Sequence, residues 1–483
     1  MPSSRDWEGV GRVLRTPAVR IGAQFVVWCV ALAALAGTVG ASNGLTLSKS
    51  PKDTLAVPRW LYLATGGATI GASALLASFV TDRAFIARLD DWSYPLPSAG
   101  RLRRLAVWGG RTLGVVVLVL AVYLGFTGPA LPTASFTILI AFAGGRAALP
   151  ILSYVVGNVW PILNPWRAIA TVLPSGFVTY PASLKRWPAV CGLLALVWVE
   201  VVFPISTVPS VLATVLVVYS VVTVAGAVLV GPEAWFHNAD PVSVMLRCYG
   251  AVGIVQRYPD RVRAVLPGSR LQDPDVVTDR SDIAFVIGLV WELTYSGFIT
   301  TTAGDTTIRT LTAVLPAGST TNRAIVVYTA VFLAGYAVFL GAYLYAGRWS
   351  RRLSGTYLTS RALAVRFAPP LLAVAAGYHL AHYATLAVSL APAMVAVSAS
   401  PLVPPPNPVV LSPPGWFNAA SIAFVLAGHL LAVWAAHTAA YDVFPRRLVA
   451  IKSQYPFVLV MIGYTVVSLW LLSLQGAVPP FVG

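Results

Sequence analysis

The chain has 483 residues, of which 57% are hydrophobic and only 10% charged, and its mean hydropathy is +0.76. Soluble globular chains carry about 25% charged residues, so this composition excludes a water-soluble fold and implies one membrane-embedded unit over 1–483. The formal net charge of +16 would suit a nucleic-acid partner in a soluble protein, but the placement of the charges along the chain excludes that reading.

A hydrocarbon core about 30 Å thick takes about 20 apolar residues of helix. Eleven such runs are predicted, at 21–43, 60–81, 105–127, 135–157, 187–206, 210–230, 283–302, 324–347, 367–393, 417–438 and 456–477. The first is too long, and too poorly followed by a cleavage site, to be a secretory signal. In the second, GGATIG sets Gly67 and Gly71 one helical turn apart, a close-packing signal. In the fourth, Gly144, Gly145, Arg146 and Pro150 interrupt the apolar run. Its inner end reads GNVWPILNPWRAI, where Asn158, Trp160, Asn164, Trp166 and Arg167 suit an interfacial anchor, and where the asparagines would alternatively line a cavity mouth. Cys29, Cys191 and Cys248 have no paired spacing, so neither a disulfide framework nor a CxxC site is expected.

With the N-terminus cytoplasmic and the C-terminus outside, 26 of the 33 Lys and Arg fall in inner segments and five in outer ones. That is a positive-inside distribution, and it ties the excess charge to the membrane and its anionic lipids rather than to nucleic acid. The inner segment 231–282 is expected to open with an interfacial amphipathic helix and to form a small cytoplasmic cap. The outer segment 394–416 carries no charge and seven prolines, and is expected to be an extended lid or spacer.

Ionisable residues at bilayer depth are costly and mark either polar helix contacts or function. Counting 1.5 Å per residue from the inner ends puts Arg146, Glu200, Glu292, His379, His382 and His429 between about 14 and 22 Å deep. They share one slab. GYHLAHY brings His379 and His382 onto one helix face, His429 in AGHLLAVWAAH adds a third nitrogen from the next helix, and Glu200 or Glu292 adds a carboxylate. Those donors suit zinc or iron, with Tyr378 and Tyr383 as flanking hydrogen-bond partners. The same residues suit interhelical hydrogen bonding, a proton or ion pathway, or haem b held by His379 and His429. For Arg146 with either glutamate the simplest reading is a compensating ion pair. No Walker loop, GxGxxG, GxSxG or HExxH occurs.

At GNVWPILNPWR, GYHLAHY, AGHLLAVWAAH and LVMIGYTVVSLWLLS, over roughly residues 58–477, the chain resembles polytopic prokaryotic membrane proteins often labelled fenitrothion hydrolase. The resemblance implies an all-α bundle in a prokaryotic plasma membrane and hydrolysis of a hydrophobic, organophosphate-type ester. Where that family is expected to have DGF, this chain has YSGF, with Ser296 in place of the aspartate and Glu292 one turn earlier. The leading expectation is a metal-dependent intramembrane hydrolase, with His379, His382 and His429 on the ion and Glu292 or Glu200 accepting the proton of its water. The alternatives are a transporter or channel for a small hydrophobic or ionic substrate, using the cluster as a proton relay or counter-charge, and a haem-bearing redox subunit.

Overall fold

The computed structural model describes residue 47 and residues 59–481 apart from 98, 99, 260, 317 and 318. The expected first span at 21–43, Cys29 and the basic residues Arg5, Arg12, Arg15, Arg20, Lys49 and Lys52 lie outside the described residues. The other ten expected spans each coincide with a helix, within several residues at the ends.

In chain order these are α1 (Arg59–Phe79), α2 (Arg83–Asp90), β1 (Ser93–Pro95), α3 (Gly100–Thr127) and α4 (Phe136–Val155). The short α5 (Trp160–Leu163) and α6 (Pro165–Ala170) lead to α7 (Trp187–Val202) and α8 (Pro209–Val230). Then come α9 (Pro232–Asn238), α10 (Pro241–Gly250), β2 (Val255–Arg257), β3 (Val262–Val265), α11 (Arg280–Ile299) and α12 (Thr302–Val314). The chain closes with α13 (Thr320–Ser354), α14 (Ser360–Arg366), α15 (Pro370–Ala399), α16 (Trp416–Val443) and α17 (Arg447–Ser473). The protein is an all-α polytopic helix bundle. Among the described residues eight helices are long and apolar enough to cross a membrane: α3, α4, α8, α11, α13, α15, α16 and α17. The α1–α2 pair, bent by 116°, would make a ninth. With 16 residues, α7 reaches about 24 Å.

α11 is buried along almost its whole length and packs against α7, α13 and α15. Small residues set a close crossing between α15 and α16. A Cβ on Gly377 would lie 2.6 Å from the Phe424 carbonyl oxygen and 2.9 Å from the Gly428 Cα. Between α1 and α17 the tight position is Gly66, whose Cβ would run into Leu469, while Gly67 and Gly71 make ordinary contacts with Val466 and Ile462.

Two connecting segments differ in detail from expectation. Residues 231–282 open with two helices, α9 and α10, in place of the one expected helix. Asp240 and Pro241 break it, because proline is tolerated at a helix start and Asp240 caps that start by accepting the Ser243 amide at 2.8 Å. The resulting α10 is largely buried in the bundle. The segment then adds the antiparallel pair β2–β3, and β3 also pairs with β1 from the 82–104 segment, Tyr94 opposite Ala264. Two segments that the charge count assigns to one face thus join in one sheet. α15 continues to Ala399, so the proline-rich connection begins only at residue 400. It folds back onto α15, where Ser389 donates to the Leu411 carbonyl at 2.6 Å and accepts the Leu411 amide through its own carbonyl at 3.0 Å.

Candidate functional site

The site starts from a break in α4. Over Ile140–Ala148 the helix widens to π geometry, a form that is rare and concentrated at functional positions. Pro150 supplies one cause. It lies four residues after Arg146, where an α-helix needs an N–H for the Arg146 carbonyl, and proline has none. His379 of α15 takes the vacated role, with Nε2 3.0 Å from that carbonyl oxygen. Nδ1 then accepts from the Tyr154 hydroxyl at 3.2 Å. The imidazole stacks on Tyr383 at 4.5 Å between ring centres and lies 5.5 Å from Tyr249.

The widened turn directs the Arg146 side chain into a carboxylate pair. Its two terminal nitrogens hold both oxygens of Glu292 at 3.1 and 2.5 Å, and its Nε holds Glu200 at 3.2 Å. Its guanidinium carbon lies 5.0 Å over the Tyr383 ring. The three charges differ in exposure: the Glu292 side chain is fully buried, whereas Arg146 and Glu200 are 15% and 8% exposed. Those two reach a cavity of about 470 Å³ whose walls are otherwise mainly apolar, with Leu118, Ile140, Leu149, Leu163 and Met245 among them. Gly144 and Gly145 border it, and a Cβ on Gly144 would meet nothing within 4 Å. The outer wall is α3, which leaves most of its own surface exposed as a lipid-facing helix does.

Of the expected metal ligands, His379 has both ring nitrogens in hydrogen bonds. His429 turns Nδ1 to the Val425 carbonyl of its own helix at 2.7 Å, leaving Nε2 buried without a hydrogen-bond partner among the described residues. His382 sets its ring edge-on to Tyr378, at 4.4 Å between centres. Both side chains press on Gly297, where a Cβ would lie 2.9 Å from His382 Nε2 and 3.2 Å from the Tyr378 hydroxyl. The glycine of YSGF is therefore a close-approach position, and Glu292 is bound to Arg146. Among the described residues no three His, Cys, Asp or Glu side chains come together as a metal-binding group.

The GNVWPILNPWR block combines its two readings. Asn164 caps α6 by accepting the Arg167 amide at 2.9 Å, and Asn158 accepts the Trp160 amide at 3.0 Å. Trp160 and Asn164 donate to Ser243 of α10, and Arg167 pairs with Glu233. The asparagines thus shape the backbone, while Trp160, Leu163, Pro165 and Trp166 line the cavity. Residue spacing alone did not single out Tyr154 and Tyr249 around His379; the signal for the π-helix was legible in Pro150 four residues beyond an intramembrane arginine. No protein family, curated protein or solved structure matches the chain.

Proposed function

We propose that this protein is a membrane transporter for a lipid-soluble molecule carrying a positive charge, exchanged against a proton at Glu200. One observation carries the reading: Arg146 and Glu200 form the polar floor of a largely apolar cavity of about 470 Å³ within the bundle. That volume suits a small drug-sized ligand. Arg146 brings one positive charge against the two carboxylates of Glu200 and Glu292, so the cluster carries one negative charge in excess. In a low-dielectric interior that excess calls for a proton or a bound cation. Glu292, which holds Arg146 at two points, fixes the arginine; Glu200, which holds it at one point and faces the cavity, is the carboxylate that exchanges. The buried hydroxyls of Tyr249 and Tyr383, which have no hydrogen-bond partner among the described residues, add polar groups near the charges.

The cavity suits a hydrophobic ester as well, which is the substrate class the resemblance implies. Transport is preferred because His379, the histidine that contacts Arg146, has both ring nitrogens in hydrogen bonds, and Glu292 is bound to Arg146. The test uses proteoliposomes with an imposed pH gradient and the lipophilic cation tetraphenylphosphonium. Gradient-driven accumulation that Glu200→Gln abolishes supports the proposal. Accumulation equal to empty liposomes overturns it. Glu200-dependent release of p-nitrophenol from a p-nitrophenyl phosphotriester would replace it with hydrolysis.

A further inference from the structure

A second charged cluster lies outside the spans, on the side that the positive-inside count makes cytoplasmic. Arg186 precedes α7, His237 is in the last turn of α9, Arg247 is in the last turn of α10, and Asp282 is in the first turn of α11. Both nitrogens of the His237 ring face a guanidinium, Arg186 Nη2 at 3.3 Å from Nε2 and Arg247 Nη1 at 3.2 Å from Nδ1. A neutral imidazole has one lone pair to offer and one N–H. One of the two contacts therefore sets N–H against N–H.

The nearby carboxylates do not resolve the conflict. Asp282 pairs with Arg186 through one oxygen, and its other oxygen is filled by Thr278, from the amide at 2.7 Å and the hydroxyl at 2.8 Å. Asp279 is taken by Lys185 at 2.9 Å and Glu233 by Arg167. Among the described residues Arg247 has no ion pair, and its Nη2 is buried without a hydrogen-bond partner. Burial, followed by the neighbouring Arg186, lowers the Arg247 guanidinium to about 10, as expected of a cation lacking its counter-charge. The N-termini of α7 and α11 also meet here, the Arg186 amide donating to Ser281 at 3.1 Å, and helix N-termini favour negative charge.

We propose that Arg186, His237 and Arg247 form a binding site for a phosphate-type oxyanion. Its oxygens would accept from Arg247 Nη2, from the imidazole N–H and from the Arg186 fork, replacing the opposed N–H contact with charge-assisted hydrogen bonds. His237 is exposed and gives access, while Arg186 is buried behind it. The chemistry is shared by free phosphate and by a phospholipid headgroup. This site is separate from the Arg146 cavity and stands whether or not the transport proposal does.

The full-length protein in nanodiscs tests it. Inorganic phosphate is titrated in phosphatidylcholine discs, and in parallel phosphatidic acid replaces part of the lipid, with unfolding temperature as readout. A rise with phosphate in phosphatidylcholine discs supports the site with a free ion as ligand, and a rise with phosphatidic acid alone supports it with a headgroup. In either case Arg247→Gln should raise the half-saturating concentration at least about tenfold. His237→Ala, at an exposed position, should weaken it too, and Arg309→Gln, a surface change elsewhere, should not. No response to either probe, or equal responses in Arg247→Gln and the unaltered protein, overturns the proposal.

Discussion

His379 and Arg146 are joined not through their charges but through the backbone: the imidazole Nε2 lies 3.0 Å from the arginine's carbonyl oxygen. The bond exists because Pro150 removes the donor that an α-helix would have offered that carbonyl. An intramembrane histidine that looks like a ligand in the sequence is thus the keeper of a helix defect, and the defect in turn aims Arg146 at Glu200 and Glu292.

His379→Ala should therefore destabilise the protein by about 2–4 kcal/mol, through the orphaned Arg146 carbonyl and the void beside Tyr383. In a Pro150→Ala background the helix regains its own N–H for that carbonyl, and the penalty of His379→Ala should shrink. Thermal unfolding in detergent of the four proteins in this cycle measures the coupling. Strict additivity would mean that the histidine and the proline are unrelated.

The two carboxylates should differ in the same assay. Glu292→Ala leaves a buried guanidinium without its two-point partner and should cost about 3–5 kcal/mol. Glu200 holds Arg146 by one contact at the cavity edge, so Glu200→Gln should cost clearly less in stability while removing the proton-exchanging group. Equal losses would remove the distinction between an anchoring and an exchanging carboxylate.

How much of this was legible follows from what each signal measures. Apolar run length is set by bilayer thickness, so the ten expected spans within the described residues were readable as helices, and depth counting gathered Arg146, Glu200, Glu292 and His379 into one cluster. Depth fixes one coordinate, however, and rotation about the helix axis fixes the other two. His429 lay at the right depth but turned its Nδ1 to Val425 of its own helix, and His382 turned to Tyr378 and Gly297. The strands β1, β2 and β3 are three or four residues long, too short to show a period of two. Arg247 and His237 lie ten residues apart in sequence, and only the break at Asp240 and Pro241 folds them together.

Two glycines should respond oppositely to substitution. At Gly428 a Cβ would lie 2.6 Å from the Ala373 carbonyl oxygen and 2.9 Å from the Gly377 Cα. Backbone cannot give way cheaply, so Gly428→Ala should destabilise by about 1–3 kcal/mol. At Gly144 there is open space. Gly144→Leu should keep the fold and occupy the cavity above Arg146, abolishing uptake of tetraphenylphosphonium while the unfolding temperature stays near that of the unaltered protein. Full uptake by Gly144→Leu would locate the transport path elsewhere.

Acid should loosen the Arg186–His237–Arg247 face of the bundle through His237. Partial burial first, and then the guanidiniums of Arg247 and Arg186, push its imidazole from 6.5 down to about 4, against weaker opposing effects of Asp282 and Glu233. The folded protein then binds fewer protons than the unfolded chain between those values, so its stability is complete above about pH 6.5 and is lost as pH falls toward 4. Asp90 acts in the opposite sense: burial, then Asp442 and Asp91, raise its carboxyl to about 6, and that group favours folding as pH drops below 6. Unfolding temperatures measured from pH 7 to pH 4 in the unaltered protein and in His237→Gln separate the two, because the variant should lose less stability over that range. Saturating phosphate should also reduce the loss in the unaltered protein, since an oxyanion between Arg247 and His237 favours the imidazolium. Parallel curves for the two proteins would show that His237 is not the group that titrates.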